Sequence, residues 1–305
     1  MNRTQNECAI EGQPLAYYEE KPDLIICVPL DKHLHHTMKA SSILFRDRLE
    51  TLNMFLRKNK YVHSVKDLAE TAGLLHDLGK VSKYYYSKFR SSKTNKLSFV
   101  LHEHIPALIL ADIALRSNDE CEKYLFKLLA RVIARHHTAM RDRHPQILLN
   151  TLSYAKSRSR TWNIRLELEN AVKEFLNSHD EVIDLLDRLA NICSRNEFCI
   201  HVIDKIKKHL QQAIKASDIS RLINQGLQIT ARAVDRDPVN EYKLLVGLTG
   251  VLIVTDNVIA YYERRVSDDE TTYSYISHWL RELNIHGQTL ERILLHKPHY
   301  LLNKH

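Results

Sequence analysis

From Leu30 to about Lys58 the chain runs without a glycine or a proline, and Leu34, Met38, Ser41, Phe45, Leu49, Leu52 and Leu56 recur at helical spacing. A stretch of that length, apolar at every third or fourth position, predicts one long amphipathic helix. The scarcity of chain breakers extends throughout: 7 Gly and 7 Pro in 305 residues are too few for the tight turns of a many-stranded sheet. The expected fold class is therefore all-α. A hydrophobic content of 44% is ample for a core and excludes general disorder.

Residues 1–29, with Pro14, Pro22 and Pro29, read as a short irregular N-terminal segment in which Leu24 to Val28 is a candidate strand. Ser64 is placed to cap a helix from Val65 to Leu78, with Gly79 as its stop. Lys80 to Leu97 reads as a loop. A third helix is expected to open at Pro106, and a fourth, carrying Tyr124, Leu125, Leu128, Leu129, Val132 and Ile133, to end at His136-His137. Helical patterns recur at 146–157, 162–178, 180–193, 198–215, 240–265, 271–283 and 288–296. With no repeat, low-complexity tract or clear linker, the economical division is one helical domain over 30–265, with a helical insertion at 146–235 and a C-terminal helical extension over 266–305.

The net charge of +7 suits an anionic partner without requiring one. Five cysteines (Cys8, Cys27, Cys121, Cys193, Cys199), an odd number with no CxxC pair, argue against a disulfide framework or a zinc ribbon and for a reducing cytoplasm. No basic region precedes an apolar run at the N-terminus, and no apolar run approaches 18 residues, so neither secretion nor a membrane is expected.

The 18 histidines matter for where they fall. In TAGLLHDLGK, Thr71 to Lys80, apolar residues lead directly into His76 and Asp77. A lone buried carboxylate costs several kcal/mol unless paired or bound to a metal, so the pair is either satisfied within the core or part of a metal site. Other His or Asp residues stand beside apolar faces or at helix ends: His33, His35 and His36; His102-Glu103-His104; His136-His137; and Asp256 within Leu252 to Asn257. Each alone has an ordinary explanation, such as a hydrogen-bonded core histidine or a residue favourable to a helix dipole. Together they form a mixed imidazole and carboxylate set suited to a first-row divalent metal. Adjacent residues on a helix project ~100° apart, so one helix end can serve two metal positions. Asp77, with two oxygens, could bridge ions about 3.5–4 Å apart, the spacing that clamps a phosphoryl group.

His76-Asp77-Leu78-Gly79-Lys80, followed by His102-Glu103 with Pro106-Ala107, then His136-His137, then Asp256 in an apolar helix, resembles the HD superfamily of metal-dependent phosphohydrolases. Within it the pattern is similar to the stand-alone HD nuclease subunit of type I CRISPR systems. The resemblance covers roughly residues 30–265 and implies an HD-domain helical bundle with additional C-terminal helices. It implies two divalent ions (Mn, Mg, Co or Ni), one held by His33, His76, Asp77 and Asp256, the other by His102, His136 and His137, with Asp77 bridging. His36 is the alternative to His33, and His104 the alternative to His102. Asp77 and Lys80 are the implied catalytic residues, Lys80 steadying negative charge on the phosphate.

The implied activity is hydrolysis of single-stranded DNA in CRISPR interference by a metal-activated water. The implied partners are a separate helicase subunit and the crRNA-guided surveillance complex. No GxxxxGK[ST] sequence occurs, so any ATP-driven motor must be another chain. In the loop after Lys80, Lys83, Tyr84, Lys88 and Arg90 are candidate nucleic-acid contacts, aromatics for bases and cations for phosphates. Arg141-Asp142-Arg143 invites the same suggestion, while Glu263-Arg264-Arg265 reads as solvated helix surface. The alternative activity is an HD phosphohydrolase acting on nucleotides or cyclic dinucleotides.

Overall fold

The computed structural model describes residues 13–22, 24–57, 63–137, 144–146, 148–149, 159–212, 216–232, 238–264, 281 and 301–303. The pattern at 288–296, nearly all of that at 271–283, most of 146–157 and Arg141-Asp142-Arg143 lie outside them. The expected helical fold is found. The N-terminal segment is more regular than expected: β1 (Leu15–Lys21) and β2 (Leu24–Pro29) form an antiparallel hairpin, and β3 (Leu301–Asn303) pairs with the other edge of β2. The strand foreseen at Leu24 to Val28 is therefore present, and a second one at Leu15 to Lys21 was missed. Cys27 on β2 is disulfide-bonded, a single bridge where none was expected. Cys121, Cys193 and Cys199 are free.

The long helix foreseen from Leu30 is two helices. α1 (Leu30–Leu44) ends where Phe45, at φ −119° and ψ 21°, leaves helical geometry, and α2 (Arg46–Arg57) begins at the next residue. Phe45 is itself buried, so the break turns the chain around a core residue. α3 (Val65–Leu75) starts with a capping box, in which Ser64 and Asp67 each accept the other's backbone N–H. It ends at Leu75, three residues before the expected last residue Leu78, with His76 as its C-cap, and a short 3₁₀ turn (Leu78–Val81) follows. The segment expected to be a loop contains α4 (Lys83–Ser91), with Tyr85 and Tyr86 on its buried face.

α5 (His104–Arg116) begins two residues before the expected Pro106. α6 (Glu120–Ala134), capped by Asp119, runs out just before His136 and His137, as expected. α7 (Ser159–Asn177), α8 (His179–Ile192), α9 (Glu197–Leu210) and α10 (Ala216–Ala231) surround this group. α11 (Pro238–Arg264) is long and apolar enough to cross a membrane. Here it packs against α1, α2, α3 and α6, as an interior helix of this fold.

Two glycines set how closely the site's elements approach. A Cβ on Gly73 of α3 would lie 3.0 Å from the Met38 backbone of α1, so the bare backbone lets these helices sit side by side. A Cβ on Gly79 would overlap the carbonyl oxygen of His102. Gly79 is thus required for contact with the His102 segment rather than for stopping a helix. Gly79→Ala is expected to lower unfolding free energy by about 3 kcal/mol, the upper range for an overpacked core, measured by urea denaturation. Gly73→Ala gains up to about 1 kcal/mol of helix propensity against a milder overlap and should be better tolerated.

Candidate metal centre

The side chains of the cluster are delivered by five separate stretches of chain. His33 projects from the first turns of α1, His76 and Asp77 follow the last turn of α3, and Lys80 lies on the 3₁₀ turn. His102 precedes α5, His136 and His137 follow α6, and Asp256 lies within α11. The residue before His102, Leu101, has φ 65°, a left-handed conformation unfavourable for a leucine. That strain is held at the segment presenting His102.

Asp77 is the meeting point. Its Oδ1 lies 2.6 Å from His102 Nε2 and 3.6 Å from His136 Nε2. Its Oδ2 lies 3.4 Å from both His33 Nε2 and His76 Nε2, and 2.5 Å from Lys80 Nζ. Asp256 Oδ1 closes the second side, 3.2 Å from His33 Nε2 and 3.5 Å from His76 Nε2. The ring of His137 stands 4.1 Å from that of His136 and 5.1 Å from that of His102. Among the described residues, two donor groups have ligand atoms within 4.8 Å of one another: Asp77, His102, His136 and His137; and His33, His76, Asp77 and Asp256. Asp77 belongs to both, one oxygen facing each.

The ring nitrogens test whether this set suits a cation. Nδ1 of His76, His102 and His136 donates to the carbonyls of Gly73, Phe99 and Ile133. A carbonyl only accepts, so each of these Nδ1 atoms carries an N–H, and each Nε2 is turned into the cluster, where it can give a lone pair to a cation once any proton on it is displaced. His76 Nε2 and His136 Nε2 are buried without a hydrogen-bond partner, an arrangement that costs free energy unless something electropositive sits there. The donors therefore fit divalent cations.

The charges around them agree. Burial would raise Asp77, yet His76, Lys80 and His102 hold it well below the usual carboxylate range. Asp256 is likewise held well down against burial by His33 and His76. Burial would lower His33, but Glu263, Asp256 and Asp77 hold it well above its ordinary value. His136 is raised too, Asp77 outweighing burial. His76 is lowered, chiefly by burial, and His137 well lowered by burial and by His136 and His102.

The open alternatives separate by geometry. His33 is in the cluster; His36 stands one step back, its Nδ1 donating to Glu263 Oε1 at 2.7 Å. His102 touches Asp77, whereas His104, fully buried, lies 3.7 Å from Glu103. Lys80 is 7% exposed, its ammonium on Asp77 and on the Ala16 carbonyl at 3.1 Å. Lys83 pairs with Glu181, Tyr84 donates to Glu167, and Lys88 pairs with Glu167. Arg90 is exposed on the same helix. Glu263 was misread as solvated surface. It is buried and also accepts from His33 Nδ1 at 2.6 Å. Its separation of seven from Asp256, two helical turns on one face, is the signal that would have found it.

Because His33 and His136 are raised in the metal-free protein, a cation must displace their protons, and its affinity is expected to rise with pH. The gain should reach about tenfold per pH unit for each proton displaced. Mn²⁺ calorimetry between about pH 6 and 8, in buffers of different ionisation enthalpy, measures both slope and proton release; a flat profile contradicts it. For the metal-free fold the sign is opposite: the stability contributed by His33 is full below its unfolded value and lost as pH rises through the raised one.

No curated protein and no solved structure matches the chain. The family model described as HD domain matches residues 45–195, a span that contains His76, Asp77, Lys80, His102, His136 and His137 and stops short of His33 and Asp256. With a His/Asp cluster arranged to take metal at its centre, the chain carries an HD domain, completed by donors from helices on either side of the matched region.

Proposed function

We propose that the protein is a metal-dependent phosphodiesterase that cuts single-stranded DNA as the stand-alone nuclease subunit of a type I CRISPR system. The observation that carries the phosphodiesterase reading is the division of Asp77 between two donor groups, one oxygen to each. Two ions held this way would supply Lewis acidity on the phosphate and an acidified water. His33, His76 and Asp256 would hold one, and His102, His136 and His137 the other. Lys80 holds Asp77 in place and adds positive charge beside it.

The nuclease branch is supported by the doubled His136-His137, by Lys80 after Gly79 and by the order of the motifs. A cavity of about 140 Å³ lined by Tyr85, Phe89, Lys88 and Lys96 adds an aromatic and cationic surface of the kind single strands use. It lies near the site, since Tyr85 packs on Phe99, whose ring faces Lys80 and His102. The helicase subunit and the surveillance complex are the partners this reading requires.

The depth of the donors favours a second reading. His76 is fully buried and Asp77 is 1% exposed, and Lys83, Tyr84 and Lys88 are engaged with Glu181 and Glu167. A closed site of that kind suits a nucleotide or cyclic dinucleotide.

One panel separates them: labelled single-stranded DNA, duplex DNA, RNA, nucleotides and cyclic dinucleotides, each with Mn²⁺, Mg²⁺, Co²⁺ and Ni²⁺. Cleavage of single-stranded DNA is expected, and Asp77→Ala should reduce it about 10²–10³-fold, the range for removing a central charge-stabilising group. Nucleotide hydrolysis without polynucleotide cleavage would establish the second reading instead.

A further inference from the structure

Three histidines of the cluster fix their ring orientation in the same way. His76, His102 and His136 each donate Nδ1–H to the backbone carbonyl three residues earlier, Gly73, Phe99 and Ile133. All three stand outside the regular span of a helix, after α3, before α5 and after α6, where such a carbonyl is available. His33 is different. It is the fourth residue of α1, where the neighbouring carbonyls accept from the helix's own N–H groups. Its Nδ1 needs a partner from a side chain.

Glu263 is that partner. Oε2 accepts from His33 Nδ1 at 2.6 Å, and Oε1 accepts from His36 Nδ1 at 2.7 Å. The two histidines are three apart on α1 and so lie on one face, and a single carboxylate spans them. Glu263 shares its face of α11 with Asp256, two turns away, so the same helix supplies a candidate ligand and the group that aims another. Both carboxylate oxygens are occupied, and Glu263 is in neither donor group. It touches the ring from behind, the arrangement by which a second carboxylate fixes the tautomer of a metal-binding histidine.

We propose that Glu263 is a positioning residue for the His33 side of the metal centre, with His36 clamping its second oxygen. The inference rests on the metal reading of the site and is independent of which phosphodiester is cut. Glu263 holds His33 with Nδ1–H outward and turns Nε2 towards Asp77 and Asp256, where it would give its lone pair to a bound cation. Glutamine at 263 keeps the shape but offers one acceptor oxygen for two imidazole N–H groups, with its amide N–H₂ facing the other ring.

The test is Co²⁺ binding to the full chain, followed by calorimetry and visible absorption, without substrate. Wild type is expected to bind two ions. Glu263→Gln should weaken one of them about 10–100-fold, as loss of an outer partner does, and leave the other unchanged. The ¹⁵N spectrum of the Zn²⁺-loaded protein should show the His33 ring shifted and those of His76, His102 and His136 in place. Glu263→Asp, which keeps the charge but shortens the reach, and His36→Asn, which removes the clamp, should weaken the same ion by smaller factors. Two ions bound unchanged within about twofold by Glu263→Gln, or equal weakening of both together with a lowered melting temperature of the metal-free protein, would overturn the positioning role. If Glu263→Gln does not fold, an unchanged first ion in His36→Asn and Glu263→Asp overturns it equally. Wild type that binds no Co²⁺ overturns the metal reading itself, a different result from either.

Discussion

An ionised carboxylate at 1% exposure is the constraint around which this fold is arranged. Asp77 lies where desolvation would cost several kcal/mol for an isolated charge. That cost is offset because His33, His76, His102, His136 and Lys80 all surround it. No single helix could supply them. The close approach of α1 to α3 at Gly73 and the contact of Gly79 with the His102 segment each place a partner beside one carboxylate. The apolar core and the polar cluster are therefore parts of one packing solution, in which Leu74, Leu75 and Leu78 are fully buried on either side of the His76-Asp77 pair.

Much of that was legible because it is local. The Ser64 cap, the end of α6 before His136 and the interruption of an apolar helix by Asp256 are all readable from neighbours in sequence. What escaped depended on tertiary partners. Glu263 sits in a Glu-Arg-Arg run that resembles solvated surface, and only the seven-residue step from Asp256, together with the presence of α1 opposite, makes it interior. Lys83 to Ser91 looked like a loop because its charges are dense. Tyr85, Tyr86 and Phe89 nevertheless share helical spacing, and the lysines find carboxylates on α7 and α8. The break at Phe45 has no glycine or proline to announce it, since a buried ring set the turn.

Burial and chemistry pull in different directions here. Depth strengthens every interaction around Asp77, since a less polar surrounding raises the energy of a given pair of charges. The same depth narrows what can reach it. Lys80 illustrates the balance: its ammonium is committed to Asp77 and to the Ala16 carbonyl of β1, so the hairpin at the N-terminus helps to hold the charge nearest the site. A substrate phosphate would meet an already ordered cationic environment, with little left to rearrange.

The distance in sequence between His33 and Asp256, 223 residues, has a consequence for synthesis. A chain emerging from the ribosome N-terminus first displays His33, then His76-Asp77, then the later histidines, long before α11 exists. Until residues 256 to 263 have appeared, the first cluster lacks its second carboxylate and His33 lacks the group that aims it. The centre is thus sealed last, by the helix that crosses α1, α2, α3 and α6. A partly made or C-terminally truncated chain would hold an incomplete set of donors, which ties the assembly of the site to completion of the fold.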